Sequence, residues 1–291
     1  MTSYLEMCKS EVNTFLAALY PAQGPTKVLY DAMNYSLLTD GKRLRPTLCL
    51  ATAETFGIAR NQVLPVAVAL ELIHCYSLIH DDLPCMDDDD LRRGKPTNHR
   101  VFGEAVALLA GDALLTEAFF QLAKRTPGIP PDRQLKMVQI VAERAGAAGM
   151  VGGQTVDIEK TGQGGTLDDV AFIHLHKTAR LIQASIELGA LFPDISEAKR
   201  NALSVYGEAL GLAFQMVDDV LDVVGSAEEL GKTPGKDALV DKLTFPKFIG
   251  VEETLRRAQE IISNGQKALQ SEGITSPYLF ELQTTILERS R

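Results

Sequence analysis

The sequence predicts an all-α fold: one large helical bundle with two facing Asp-rich helices around a deep central pocket. Three observations predict it. Apolar residues recur at helical spacing through most of the chain, strand-like alternation is scarce, and two of the apolar runs close on clusters of carboxylates. At 291 residues and 45% apolar content the chain can bury a large core. No charge run or low-complexity tract divides it, so residues 1–291 read as a single domain.

The periodicity predicts helices over residues 28–38, 46–56, 63–79, 105–123, 135–146, 167–191, 197–224, 251–269 and 277–288. Breakers fill the connections, among them Pro127-Gly128-Ile129-Pro130-Pro131 and the segment 162–165. Residues 63–79 form the most apolar stretch, but Glu71 and His74 interrupt it and it is short for a membrane span, so it reads as a core helix. Several helices are apolar nearly all round, as the central members of a large bundle must be. The formal charge of −9 argues against nucleic acid or an anionic membrane as partner, so any anionic ligand must be gripped locally. Cys8, Cys49, Cys75 and Cys85 form no CxxC pair and no zinc pattern, which suits reduced thiols. Residues 1–11 lack a basic segment followed by an apolar one, so no signal peptide is expected and the cytoplasm is the expected location.

The acidic clusters are Asp81-Asp82-Leu83-Pro84-Cys85-Met86-Asp87-Asp88-Asp89-Asp90 and Asp218-Asp219-Val220-Leu221-Asp222. Asp218 and Asp222 are i and i+4 on one helix face, with Asp219 i+3 from Asp222; like charges there destabilise the helix unless a cation bridges them. In an undisturbed helix Asp87 would lie roughly 240° around from Asp81. Pro84 breaks the helix, and a bulge over residues 83–86 is expected to swing Asp87 back beside Asp81. Carboxylates gathered at two apolar helices point to a divalent metal, Mg²⁺ first, held by few carboxylates together with substrate phosphate oxygens.

Cations accompany each cluster. Gly41-Lys42-Arg43-Leu44-Arg45-Pro46 precedes an apolar helix, Arg92-Arg93-Gly94-Lys95 follows the first cluster, and Lys232, Lys236 and Lys242 follow the second. Singly each reads as a solvated surface run. Coupled to carboxylates, they read as phosphate plus metal, with guanidinium groups taking phosphate oxygens bidentately. Glycine loops of the Walker and dinucleotide types are missing, so a diphosphate fits better than a nucleotide. His74 lies seven residues before Asp81, on nearly the same face, where a phosphate contact and a core histidine are equally good readings. His174, His176 and Lys177 form a polar patch whose plain reading is an exposed helix turn.

Together, Gly41-Lys42-Arg43-Leu44-Arg45-Pro46, Glu71-x-x-His74, Leu78-Ile79-His80-Asp81-Asp82-Leu83-Pro84-x-Met86-Asp87-x-Asp89-Asp90-Leu91-Arg92-Arg93-Gly94, Gly152-Gly153-Gln154, Lys177-Thr178 and Phe214-Gln215-x-x-Asp218-Asp219-x-x-Asp222 resemble the trans-prenyl diphosphate synthases. Within them the chain resembles the bacterial farnesyl diphosphate synthases. The resemblance implies the isoprenoid synthase fold, a homodimer, and Mg²⁺-dependent head-to-tail condensation of isopentenyl diphosphate onto an allylic diphosphate. It implies three metal ions with substrate bound, Mn²⁺ being an alternative ion. Asp81, Asp87 and Asp218 would be direct ligands, with Asp82, Asp219 and Asp222 supporting them or binding through water. Arg92, Lys177, Lys232 and Lys242 would hold the allylic diphosphate; Lys42, Arg45, His74 and Arg93 would hold isopentenyl diphosphate. Thr178 and Gln215 would lie near the developing cation, and Arg289-Ser290-Arg291 resembles a tail that closes over the site. The residues at 225–245 could serve as a lid that excludes water.

In that chemistry metal and cations offset charge on the departing diphosphate, isopentenyl diphosphate attacks through its double bond, and a proton leaves, the departing diphosphate being its expected acceptor. No protein nucleophile is needed, which agrees with the missing Ser/His/Asp and Cys/His patterns. Tyr76, about 7.5 Å of helical rise before Asp81, could close the floor of the chain pocket, with Ser77 beside it. An aromatic residue there with the Pro84-Cys85 insertion resembles the C15 arrangement, so farnesyl diphosphate is the expected product and geranylgeranyl diphosphate the alternative. A class I terpene cyclase would have little reason to keep a Lys42/Arg45 site, and a non-catalytic subunit would be expected to lose an Asp cluster or a basic anchor. Asp40 and Ala179-Arg180 depart from the usual pattern; Arg180 either points away from the allylic region or alters it.

Overall fold

Helices account for nearly all regular structure in the computed structural model, which describes residues 3–20, 24–224 and 242–287. In chain order they are α1 (Tyr4–Ala17), α2 (Lys27–Leu37), α3 (Leu44–Thr55), α4 (Arg60–Asp81), α5 (Asn98–Phe102), α6 (Glu104–Ala123), α7 (Pro131–Ala145), α8 (Met150–Lys160), α9 (Leu167–Ile173), a π-helical segment (His174–Ala179), α10 (Arg180–Gly189), α11 (Glu197–Val224), α12 (Phe245–Ile249), α13 (Val251–Ser271) and α14 (Pro277–Leu287). Among the described residues the strands are β1 (Leu91–Arg92) and β2 (Lys95–Pro96), an antiparallel pair in which Arg92 faces Lys95. Arg93 and Gly94 between them both have positive φ, as a tight hairpin turn requires.

The core is built around α4 and α11. Val63, Val66, Leu70, Ile73 and Ile79 of α4 are buried on several faces at once, because α3, α6 and α10 all pack against that helix. On the other side α11 is covered by α10, α13 and the π segment. Burial of a helix on more than one side removes its polar face, which is why α4 reads as apolar on nearly every side. By length and hydropathy both α4 and α6 could cross a membrane, but two thirds of the apolar window in α4 is buried, against 39% in α6. Leu108, Leu109 and Phe120 of α6 are exposed.

Besides the short helices α5 and α12, which the periodicity does not predict, three longer stretches among the described residues differ from the periodic reading. Helix α1 carries its apolar face on Tyr4, Cys8, Val12 and Leu16, a stripe in which Tyr and Cys dilute the signal, and Ser3 Oγ caps it by accepting from the Glu6 amide. Helix α8 contains Gly152-Gly153, which lower helical propensity, and it forms because it packs on the π segment and α9. Residues 167–191 are three pieces, since the chain widens to a π turn at 174–179 before α10 resumes.

Candidate active site

Helix α4 ends at Asp81, and the chain then folds back on itself: the Asp87 amide donates to the Asp81 carbonyl at 2.9 Å, and the Asp89 amide to the Asp82 carbonyl at 3.3 Å. This is the expected bulge over 83–86, with Pro84 and Cys85 at its exposed tip. Asp88 takes a left-handed φ of 47° to close it. Asp81, Asp87 and Asp89 thereby line one rim of a cavity of about 420 Å³, and Asp218 and Asp219 of α11 line the opposite rim. Lys177 and Thr178 of the π segment, Asp157 of α8, Gln215, Arg92 and Lys242 complete the wall.

Burial pushes the Asp81 carboxyl up to about 6, and the neighbouring Asp87 adds to the shift. Among the described residues no three potential ligands come close enough together to hold an ion by themselves. Paired, desolvated carboxylates short of a full cage are the donor set that suits a hard cation completing its shell with other oxygens. Lys242 Nζ stands 3.8 Å from Asp87 Oδ2, joining the two rims.

The cationic groups are held in place rather than loose. Lys177 donates to Asp157 Oδ2 at 2.7 Å. Thr178 Oγ1 donates to Gln215 Oε1 at 2.8 Å, and Gln215 Nε2 donates to Asp219 Oδ1 at 3.1 Å, so the amide has one orientation. The other Asp219 oxygen accepts from the Phe245 amide at 2.9 Å. His174 Nε2 lies 3.4 Å from that oxygen, but burial pushes the imidazole down to about 3, so it meets the carboxylate as a neutral ring. A Cβ on Gly153 would fall 2.2 Å from the Lys177 amide nitrogen, and one on Gly211 would fall 2.5 Å from Ala179 Cα. These two glycines let α8 and α11 press on the π segment from two sides. Such π turns recur at functional sites.

Asp82 and Asp222 sit elsewhere. Asp82 is buried and accepts from Arg92 Nε at 3.0 Å and from its terminal nitrogen, so it anchors Arg92, a partner other than the metal ligands it was expected to support. Asp222 is buried and lines neither this cavity nor the apolar one described below. Lys232, Lys236, most of the expected lid and Arg289-Ser290-Arg291 lie outside the described residues.

Next to the carboxylates is a second, cationic cleft. Arg43 has a left-handed φ of 49° at the start of α3, which turns its side chain inward while Arg45 faces the cleft with His74. Arg43 is fully engaged: it donates to Glu71 Oε1 at 2.7 Å, to the Leu37 and Thr39 carbonyls at 2.8 and 2.9 Å, and to Asn13 Oδ1 at 2.8 Å. Arg45 differs, because its Nε is buried with no hydrogen-bond partner among the described residues. Burial pushes it down to about 10, so it remains charged at neutral pH. Burial, with Arg45 and Arg93 adding, holds His74 well below the usual imidazole range. Arg93 rests its guanidinium against Gly41, and Lys42 is exposed at the edge. Cations gathered around an orphaned guanidinium nitrogen describe an anion site.

Between the two clefts runs an apolar cavity of about 490 Å³ lined by Tyr76, Ser77, His80, Leu83, Leu108, Met150, Val151 and Ile158, with Asp81, Arg45, His74, Gln154 and Lys177 at its polar end. Both side-chain polar atoms of Gln154 are buried without a partner among the described residues. Leu108 and Val151 are 46% and 47% exposed, so the cavity reaches the surface between α6 and α8. Arg180 points away from all this, donating to Gln183 and Glu208 at 2.8 and 2.7 Å, and Asp40 pairs with Lys9 at 2.9 Å without entering the cleft.

The profile of the polyprenyl synthetase family matches residues 26–276. The chain belongs to that family. It is a trans-prenyl diphosphate synthase by family, all-helical, and a trans-prenyltransferase. A geranylgeranyl pyrophosphate synthase of Catharanthus roseus is 46% identical over 261 residues, covering 89% of this chain and 73% of that protein. A geranylgeranyl diphosphate synthase of Cyanophora paradoxa is 44% identical, covering 92% of this chain and 90% of its own length. Among solved structures, an FPP/GFPP synthase of Zymomonas mobilis has a TM-score of 0.84 at 34% identity over 97% of this chain and 95% of that one. A Helicobacter pylori geranyltransferase complexed with magnesium and isoprenyl diphosphate has a TM-score of 0.84 at 31% identity over 99% and 97%.

Asp157 lines the site without having been singled out in the sequence, whereas Asp89 and Gln154 were quoted only within longer motifs and His174 only as part of a polar patch. Asp89 was visible only as one member of an acidic run, and Asp157 is a lone carboxylate on an unrecognised helix. Within the His174–His176–Lys177 patch, His174 is buried rather than exposed, because the π segment carries it under α12, while His176 and Lys177 are half-buried.

Proposed function

We propose that the chain condenses isopentenyl diphosphate head to tail with allylic diphosphates and carries elongation on to the C20 geranylgeranyl diphosphate. The observation that carries this reading is the pair of separate anion sites at the polar end of one apolar cavity. A single-substrate cyclase has no use for the Arg45–His74–Arg93 cleft.

Asp81, Asp87 and Asp218, helped by Asp89 and Asp219, would hold Mg²⁺; when bound, Mg²⁺ neutralises charge on the allylic diphosphate, and three ions is the number this reading takes. Lys177, fixed by Asp157, Arg92, fixed by Asp82, and Lys242 receive the departing diphosphate oxygens, with Lys232 expected to join them. The C–O bond breaks with both electrons going to that oxygen. Gln215 Oε1 and Thr178 Oγ1 present partial negative charge beside the allylic cation. Arg45, His74, Arg93 and Lys42 hold isopentenyl diphosphate with its double bond toward the cation. The new C–C bond forms, and the proton lost passes to the departing diphosphate. Charge stabilised at fixed groups in a dry cavity is the main source of rate.

Relatives named for geranylgeranyl diphosphate at 44–49% identity support C20 over the farnesyl stop expected from Tyr76. A C15 product remains the second reading, favoured by the buried Tyr76 ring in the cavity wall. The exposed apolar face of α6, next to the opening between Leu108 and Val151, supports a homodimer in which a second copy covers it, without nucleic acid or membrane as partner. The cysteines are free thiols, which suits a reducing compartment, and we take that to be the cytoplasm. The test is mass analysis of products formed from isopentenyl and dimethylallyl diphosphates with Mg²⁺. Dominant C20 supports the reading, dominant C15 replaces its last step, and no condensation overturns it in favour of a non-catalytic subunit.

A further inference from the structure

Neither the metal rims nor the anion clefts use His80, although it lies between Asp81 and the wall of the apolar cavity. Its Nε2 is 3.0 Å from the Leu108 carbonyl of α6. A carbonyl only accepts, so Nε2 carries the proton. Tyr76, one turn earlier on α4, meets the His80 ring edge-to-face, with centroids 5.7 Å apart and planes at 75°. The ring fits because α6 has no side chain at the contact: a Cβ on Gly111 would fall 2.0 Å from His80 Nε2 and 2.4 Å from Cδ2. Asp112 Oδ1, 3.9 Å from Nε2, faces the same nitrogen. Tyr76, His80 and Leu108 all line the cavity.

We propose that His80, seated in the notch at Gly111 and latched to the Leu108 carbonyl, is a positioning residue that fixes the Tyr76 ring and thereby sets how long a prenyl chain the cavity accepts. The inference rests on the elongation activity proposed above. It extends the length-setting wall from Tyr76 alone to a three-part contact between α4 and α6. Two substitutions act in opposite directions. Gly111→Ala leaves no room for the ring, which must leave α6 for the cavity and shorten the product. His80→Ala removes the ring, frees Tyr76 and lengthens the product. His80→Gln keeps an N–H able to reach Leu108 and a planar amide against the Tyr76 edge, and holds the product closer to the wild-type length than His80→Ala does.

The experiment compares ratios of C10, C15, C20 and C25 diphosphates from wild type and the three variants at equal isopentenyl diphosphate consumption. Loss of the hydrogen bond that latches His80 to Leu108 corresponds to about a two- to tenfold change in the ratio of adjacent products. A general structural disturbance lowers total turnover and leaves the ratio alone. If Gly111→Ala fails to fold, the His80→Ala and His80→Gln pair decides. Wild-type ratios in His80→Ala, or an equal shift in His80→Gln, overturn the latch while elongation stands. Absence of condensation by wild type removes both the elongation reading and the latch.

Discussion

Replacing Glu71 by Met should destabilise the chain through Arg43 rather than through the volume of the side chain. Both members of the pair are 3% exposed, with Arg43 Nη1 2.7 Å from Glu71 Oε1. Met fills similar space but leaves a buried guanidinium facing a carbon chain. Removing one partner of a buried pair costs about 3–5 kcal/mol, because the remaining charge stays desolvated. Unfolding entropy near roughly 2.1 cal/mol/K per residue gives about 0.6 kcal/mol/K for a chain of 291 residues, so the melting temperature should fall by about 5–8 °C. Urea titration followed by circular dichroism at pH 7, alongside thermal melts, measures both quantities. The double variant Arg43→Met/Glu71→Met removes the orphaned charge and should be no less stable than Glu71→Met, even though the Leu37 and Thr39 carbonyls lose their donor. A loss below about 1 kcal/mol for the single variant, or a double variant clearly worse than it, would refute the argument that desolvated charge dominates here.

Gly153→Ala should drive α8 off the π segment and misplace Lys177, lowering kcat at least about tenfold, with about 1–3 kcal/mol lost from stability by overpacking; steady-state kinetics with urea unfolding checks this, and an unchanged kcat would rule it out. Arg180→Ala should leave kcat/KM for the allylic substrate within about twofold, since the side chain faces Glu208 and not the cavity. Burial holds His74 neutral in the folded chain, so below about pH 6.5 the unfolded chain binds the extra proton and stability falls with pH at up to about 1.4 kcal/mol per unit. Asp81, raised to about 6, acts in the opposite sense as pH falls toward 3.8, so the quantity to measure is the difference in slope between wild type and His74→Gln from pH 7.5 to 5.5. The variant should be the less acid-sensitive; equal slopes would contradict neutral burial.

Much of the molecule was legible because its signals are local. Helix α4 announced itself as a long apolar run interrupted at Glu71 and His74, and the break at Pro84 was enough to foresee Asp87 returning to Asp81. Long-range pairing was not legible. Nothing near Asp82 in sequence says that its oxygens are committed to Arg92, and nothing near Lys177 names Asp157, twenty positions earlier, as its anchor. The π turn was hidden for the same reason: residues 167–191 carry one helical period, and only packing against Gly153 and Gly211 reveals the wider turn. Product length was harder still, since Tyr76 lies in a wall open between Leu108 and Val151, so one aromatic ring does not by itself decide where the cavity stops.

Arg43, Asp88 and Arg93 are the non-glycine residues with positive φ among those described, and all three belong to the loops that present charge to the two clefts. Each such conformation costs on the order of 1–2 kcal/mol against a relaxed backbone. A laboratory search for heat-resistant variants should therefore be drawn to these loops, and glycine or asparagine at Asp88, the exposed member, is the first change it would find. Gains made there would slacken the return of Asp87 to Asp81. Selection for durability and selection for turnover should pull in opposite directions at that one bend, while the helical scaffold beneath it is free to improve.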